Sequence, residues 1–168
     1  DMSTNRGLTD ERWSVEVDTL CTLLRTELSA CEAYRTAIHA VERGEGSPAL
    51  SLRCLYRSHR RFADELRSLV RNLGGCPSET MGAWGVWVGV HERVAAMNGR
   101  VDGPATVRIL RHGERYSLEL ARDALDELEG PSAGWVRDRL VRGVEANLGL
   151  LEALESSAHD GPGLPPGT

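Results

Sequence analysis

The chain contains no lysine; all 20 of its basic residues are arginine. We read that usage as the mark of a GC-rich bacterial genome and attach no mechanism to it. No apolar run approaches the roughly 20 residues that a membrane-spanning helix needs, so no membrane segment is expected. No secretory signal peptide is visible. Asp1 ahead of Met2 reads as a cloning remnant, and the expected location is the cytoplasm. The four cysteines, Cys21, Cys31, Cys54 and Cys76, show no CxxC spacing. Three fall inside helical patterns, so the reading is small buried thiols in a reducing compartment, not a structural zinc site. An excess of positive charge is also missing. The formal net charge is −5, which argues against a nucleic-acid partner. No nucleophile elbow, phosphate loop or Ser-His-Asp pattern occurs. Strand signals are lacking as well, which leaves an all-α chain.

What remains is helix. With 168 residues, 40 % of them hydrophobic and 27 % charged, the chain suits one domain with a real core. The first helical pattern spans about 13 to 43 and stops at "RGEGSP". The second starts after Ser47, with Pro48 in its first turn, and ends at Gly74-Gly75. The third runs from about Pro104 to Glu129, before Gly130-Pro131. The fourth starts at Ser132 as N-cap and fades near Ser157. Trp84, Val88, His91 and Ala95 give the second connection a short helix over about 82–98, laid across the others. The expected architecture is an up-down-up-down four-helix bundle over 13–157 with that one extra helix. The Pro/Gly-rich tail at 158–168 is expected to be disordered.

Each helix carries an apolar stripe at steps of three and four, and each stripe has a polar exception. Helix one gives Val17, Leu20, Leu24, Cys31, Ile38 and Val41, with Glu27 and Tyr34 at the positions between. Helix two runs Leu52, Leu55, His59, Phe62, Leu66, Leu69, Leu73. Helix three runs Val107, Leu110, Glu114, Leu118, Ala121, Leu125, Leu128. Helix four runs Val136, Leu140, Val144, Asn147, Leu151, Leu154. Glu27, His59, Glu114 and Asn147 all stand close to their helix midpoints. Midpoints of antiparallel helices of equal length share one level, so these four side chains are expected to converge in the core. A buried carboxylate needs a cation or a hydrogen-bond donor to stay charged, and this convergence would supply it.

The arrangement resembles the ferritin-like superfamily. There, one Glu from each of two helices and a Glu-x-x-His from each of the other two hold a carboxylate-bridged di-iron centre. The chain is similar, more narrowly, to a small bacterial ferritin-like family of unknown function. The residues that carry the likeness are "LLRTELSACEAYRTAI", "SHRRFADELRSLVRNLGGCP", the following "GAWG" and the segment around Glu114. By this resemblance Glu27 and Glu114 take the single-Glu positions of the first and third helices. The second helix, however, reads Tyr56-x-x-His59 and the fourth reads Val144-x-x-Asn147. Half of the expected ligand set is therefore missing, and a full di-iron oxidase site is not expected.

Two readings follow. In one, the site is vestigial: His59 bridges Glu27 and Glu114, Asn147 and Tyr34 add donors, no cofactor is needed, and the protein is a non-catalytic interaction or stress-associated scaffold. In the other, Glu27, His59 and Glu114, completed by Asn147 or water, bind a single Fe, Mn or Zn ion. The first is the expectation adopted here, and an enzyme is not expected. His91 beside Trp84 and Trp87, with Met97 six residues on, reads as an aromatic lid and not a haem ligand set. His112 is expected in solvent. Arg57, Arg60, Arg61, Arg67 and Arg71 form a basic run diluted by Asp64 and Glu65, with i,i+4 pairs as the default reading. A homodimer is the default oligomer, and the sequence names no protein partner.

Overall fold

The computed structural model describes residues 2–42, 48–77, 85–97 and 103–159, with side chains described for 11–42, 48–77, 85–97 and 103–157. Its helices are α1 (Met2–Val41), α2 (Ala49–Asn72), α3 (Val86–Ala96), α4 (Gly103–Asp123), α5 (Gly130–Trp135) and α6 (Arg142–His159). No strand occurs among the described residues, and the fold class is all-α. No helix among them is long and apolar enough to cross a membrane. Three boundaries differ from the sequence expectation. The first helix begins at Met2, not near residue 13. The third gives up α geometry at Asp123 and finishes in one 3-10 turn, Ala124–Asp126, short of Glu129. The fourth is not capped by Ser132. Glu129 stands at the N-cap in extended conformation with Pro131 in the first turn, and Ser132 is buried. Proline's fixed φ favours the first helical turn, which draws the start ahead of Ser132. From there α5, π-helical turns at Val136–Val141 and α6 form one rod that runs to His159. Trp84, residues 82–84 and 98 of the expected short helix, and the tail from 160 lie outside the described residues.

Gly74-Gly75 ends α2 as the sequence suggests, and the hydrogen bonds show how. Gly74 has φ 79° and its N–H donates to the Arg71 carbonyl, while Gly75 N–H reaches back to Val70. This is a Schellman motif, in which a left-handed residue lets the last turn satisfy its own carbonyls.

Side-chain contacts fix the helix directions. Trp13 Nε1 donates to the Leu73 carbonyl at 2.7 Å, and at the other end Arg53 pairs with Glu42, so α1 and α2 are antiparallel. Thr19 donates to Glu127 at 2.6 Å and Tyr34 to Glu114 at 2.6 Å, so α4 also runs against α1. Arg111 pairs with Glu155 and Arg122 with Glu145, so α6 runs against α4. The order is therefore up, down, down, up, and not the alternating one expected. Apolar stripes carry no direction. The direction is set by the connection after α2, which climbs the whole length of the molecule before α4 begins beside Pro48. On the way it lays α3 against α1 and α4. The neighbours close a ring: α1 packs on α2 and α4, and the α5–α6 rod packs on α4 and meets α2.

The core is in two parts. Val17 to Leu28, Phe62 to Val70 and Ala121 to Val144 supply one cluster. Ala30 to Val41, Ala49 to Leu55, Trp87 to Val94, Val107, Leu110 and Leu151 supply the other. Both are built by burial of the predicted stripes. Cys21 and Cys31 belong to buried faces, whereas Cys54 and Cys76 are exposed. Cys54 is two residues after Leu52 and so falls on the far side of α2. Between the two apolar clusters lies a layer of polar side chains.

Candidate functional site

That layer holds Glu27, His59, Glu114 and Asn147, one from each long rod, all buried, together with Tyr34. The structure brings the four expected side chains into one place. His59 is the hub. Its Nδ1 lies 2.6 Å from Glu27 Oε2, and its Nε2 lies 2.7 Å from Glu114 Oε1. An ionised carboxylate can only accept, so with both glutamates ionised each ring nitrogen donates and the ring is an imidazolium. Tyr34 adds a second donor to Glu114 Oε1. The Asn147 amide lies 3.4 Å from His59 Nε2. The contacting Asn147 atom is Nδ2, itself a donor, so with Nε2 donating to Glu114, Asn147 is a polar neighbour here and not a hydrogen-bond partner. Glu114 Oε2 is buried and makes no hydrogen bond to any of the described residues.

The electrostatics follow from burial and from the charges facing one another. Burial alone drives the His59 pKa down. The charges of Glu114 and Glu27, and the hydrogen bonds to both, outweigh it and lift the value from 6.5 to about 10. Glu27 is raised, chiefly by burial, against the lowering pull of His59. Tyr34 is held well above its ordinary value by burial and by the Glu114 charge, so it remains a donor. Cys31 is pushed up to about 12 by burial and the nearby Glu27 charge, which keeps it an unreactive thiol.

Three aromatic rings enclose the imidazolium. Tyr34 lies 5.1 Å from it between centroids, Trp87 meets it edge-on at 6.1 Å, and Phe62 meets it edge-on at 6.4 Å. Phe62 is the only phenylalanine in the chain. Two glycines make room for this cage. A Cβ on Gly113 would stand 2.6 Å from the Trp87 ring, and one on Gly143 would stand 2.2 Å from Phe62. Trp87 Nε1 is satisfied by Ser117 Oγ at 3.0 Å. The sequence reading missed these supports. Their one signal was glycine inside a helical pattern, which costs helix stability unless packing requires it.

A metal ion of the kind the resemblance implies does not fit these side chains as they stand. Both ring nitrogens of His59 face carboxylate oxygens at hydrogen-bond distance, so neither is turned toward a space that an ion could take. The imidazole fills the space between the two carboxylates that a shared cation would need. Among the described residues no group of three or more His, Cys, Asp and Glu side chains is arranged to hold a metal.

The lesser candidates separate. His91 is half-buried and meets Thr36 Oγ1 at 3.3 Å, while Met97 accepts the Thr106 hydroxyl at 3.6 Å. His112 is exposed, as expected. Of the arginine run, Arg67 pairs with Asp64, an i,i+3 contact. Glu65 is engaged instead by Trp135 Nε1 at 2.8 Å and Arg139 at 3.0 Å. Burial alone would raise the Glu65 pKa, but these two hydrogen bonds hold it below the usual range. Comparison with models of protein families, with curated proteins and with solved structures finds no match for this chain.

Proposed function

We propose that the chain is a ferritin-like four-helix bundle acting as a non-catalytic helical scaffold, in which an imidazolium takes the place of the di-iron centre. The observation that carries this reading is His59, fully buried, with a carboxylate on each ring nitrogen. A cation is needed between two buried carboxylates, and a protonated histidine meets that need without a metal. The bundle assignment is supported by the single long crossover before α4, the connection that distinguishes ferritin-like folds from alternating bundles. A scaffold role is favoured over catalysis because the polar layer is sealed. Glu27, His59 and Glu114 have at most 2 % of their surface exposed. The described grooves, at the α2/α5 and α1/α4 seams and near Trp13, are lined by other residues.

The test is elemental analysis of protein purified without chelator, followed by titration with Fe(II), Mn(II) and Zn(II). The expected result is metal far below one ion per chain and a melting temperature that none of the ions, nor EDTA, moves. One ion per chain, with a melting temperature that falls in EDTA and recovers on metal addition, would overturn the proposal. It would make Glu27, His59 and Glu114 ligands.

A further inference from the structure

The two looser seams of the molecule carry opposite charge. Where α2 meets α5, an open groove of about 630 Å³ is lined by Arg57, Arg60, Arg61, Leu69 and Trp135, with Asp64 and Glu65. Both acids are already engaged, Asp64 by Arg67 and Glu65 by Arg139 and Trp135. Arg57, Arg60 and Arg61 are exposed, and among the described residues none of them stands in an ion pair with a carboxylate. They sit at i, i+3 and i+4, so they share one helix face. This basic ridge belongs to a chain of net charge −5.

The acid lies on the other side. Between α1 and α4 runs a groove of about 310 Å³ lined by Asp18, Asp123 and Glu127, together with Leu23 and Leu120. Among the described residues no basic side chain lines it. Asp18 and Asp123 are exposed and are in no ion pair among the described residues. In the ring of neighbours, the α1/α4 seam and the α2/α5–α6 seam are opposite edges. Both grooves also lie on the same half of the molecule, the half closed by Trp13 and Leu73. Measured from the central layer, Asp18 precedes Glu27 on α1, Asp64 follows His59 on α2, Asp123 follows Glu114 on α4 and Trp135 precedes Asn147. At 1.5 Å per helical residue, Arg57, Arg60 and Arg61 stand within about 3 Å of the central layer and Asp18 and Asp123 about 13 Å from it, so a copy displaced sideways and shifted by roughly 10 Å along the axis sets its arginine ridge against the acidic groove of the next.

We propose that this protein associates with further copies of itself, edge to edge, through the Arg57–Arg60–Arg61 ridge of one copy and the Asp18–Asp123–Glu127 groove of its neighbour. The contact uses different surfaces on the two copies, so it is heterologous and does not close as a two-fold dimer. It replaces the default homodimer expectation, and it does not depend on the state of the buried layer. Guanidinium groups suit the role, since their planar fork pairs carboxylates bidentately. The association is electrostatic and exposed, and therefore salt-sensitive.

Sedimentation of the full chain tests this. In about 20 mM salt, where charges act over more than 20 Å, the weight-average mass should rise with concentration above the monomer's; in about 300 mM salt it should return to it. Arg60→Gln with Arg61→Gln, and separately Asp18→Asn with Asp123→Asn, should each leave a folded monomer at low salt, with folding checked by circular dichroism. Mixed in equal amounts, the two variants should form pairs that grow no further, because only one productive contact remains. The proposal is overturned by a wild type that stays monomeric at low salt. An oligomer that survives both pairs of substitutions, or a mixture that fails to pair, overturns it equally.

Discussion

His59 decides the fate of two buried carboxylates, and the substitutions at this layer should not be equivalent. His59→Ala removes the shared cation and leaves Glu27 and Glu114 uncompensated. The expected loss of stability is on the order of 2–4 kcal/mol. Glu27→Gln removes a charge whose burial already raises its pKa and keeps an acceptor for Nδ1–H. It should be neutral or stabilising. Chemical denaturation of the two variants checks the contrast, and a destabilised Glu27→Gln would speak against it. The pH dependence has a definite sign. The pKa of His59 is about 10 when folded, against 6.5 for an ordinary histidine. Its contribution is therefore complete below 6.5 and lost as pH rises through 10. Between those values the native state binds a proton that the unfolded state does not, so stability should fall by about 1.4 kcal/mol per pH unit. Glu27, also raised, acts with the same sign at lower pH. A His59→Gln variant measured from neutral pH to pH 9 should lack most of that slope. The four polar positions were legible in the sequence because each interrupts an otherwise apolar stripe near its helix midpoint. Tyr34 was legible as a donor, but its partner, Glu114, was not, because a stripe does not say which helix lies opposite.

The helices owe their fit around the site to glycine. At Gly113 and Gly143 an added methyl would overlap Trp87 and Phe62, both buried against His59. Alanine is the better helix former by about 1 kcal/mol, yet Gly113→Ala and Gly143→Ala should each destabilise the fold, by roughly 1–3 kcal/mol, through overpacking. Gly149 on α6 is the internal control. Nothing lies within 4 Å of its Cβ position, so Gly149→Ala should gain about 0.5–1 kcal/mol. Thermal melts of the three variants decide the matter. If all three stabilise, the two glycines are not packing slots. Helix ends were readable where glycine and proline set them, as at Gly74. They were misread at Ser132, where a good capping residue lost to Pro131 just before it. The π-helical turns at Val136–Val141, which bury Leu140 and Val141 in succession, have no sequence signature that distinguishes them from an ordinary helical turn. The acidic and basic seams were half legible. The arginine run was visible, but the pairing of Glu65 with Trp135 and Arg139 is a tertiary contact between residues some seventy positions apart.

For the molecule as a whole, periodicity gave helices and their levels but not their directions. Midpoints stay level whichever way a helix runs, so the convergence of Glu27, His59, Glu114 and Asn147 survives the correction from an alternating order to up, down, down, up. The long connection after Gly75 held the missing information, because its length permits either return. On this reading the cation at the centre of the fold is a protonated histidine. Nitrogen-15 spectroscopy of the imidazole ring in labelled protein tests it most directly. At about pH 8 an ordinary histidine is neutral, whereas His59 should carry protons on both Nδ1 and Nε2, each slow to exchange with solvent and each in a hydrogen bond to a glutamate. The same two signals should persist in EDTA and be absent from His59→Gln. A His59 ring that is neutral at this pH, with one bare nitrogen, or that has a nitrogen bound to metal, would contradict a histidine cation at the centre of the bundle.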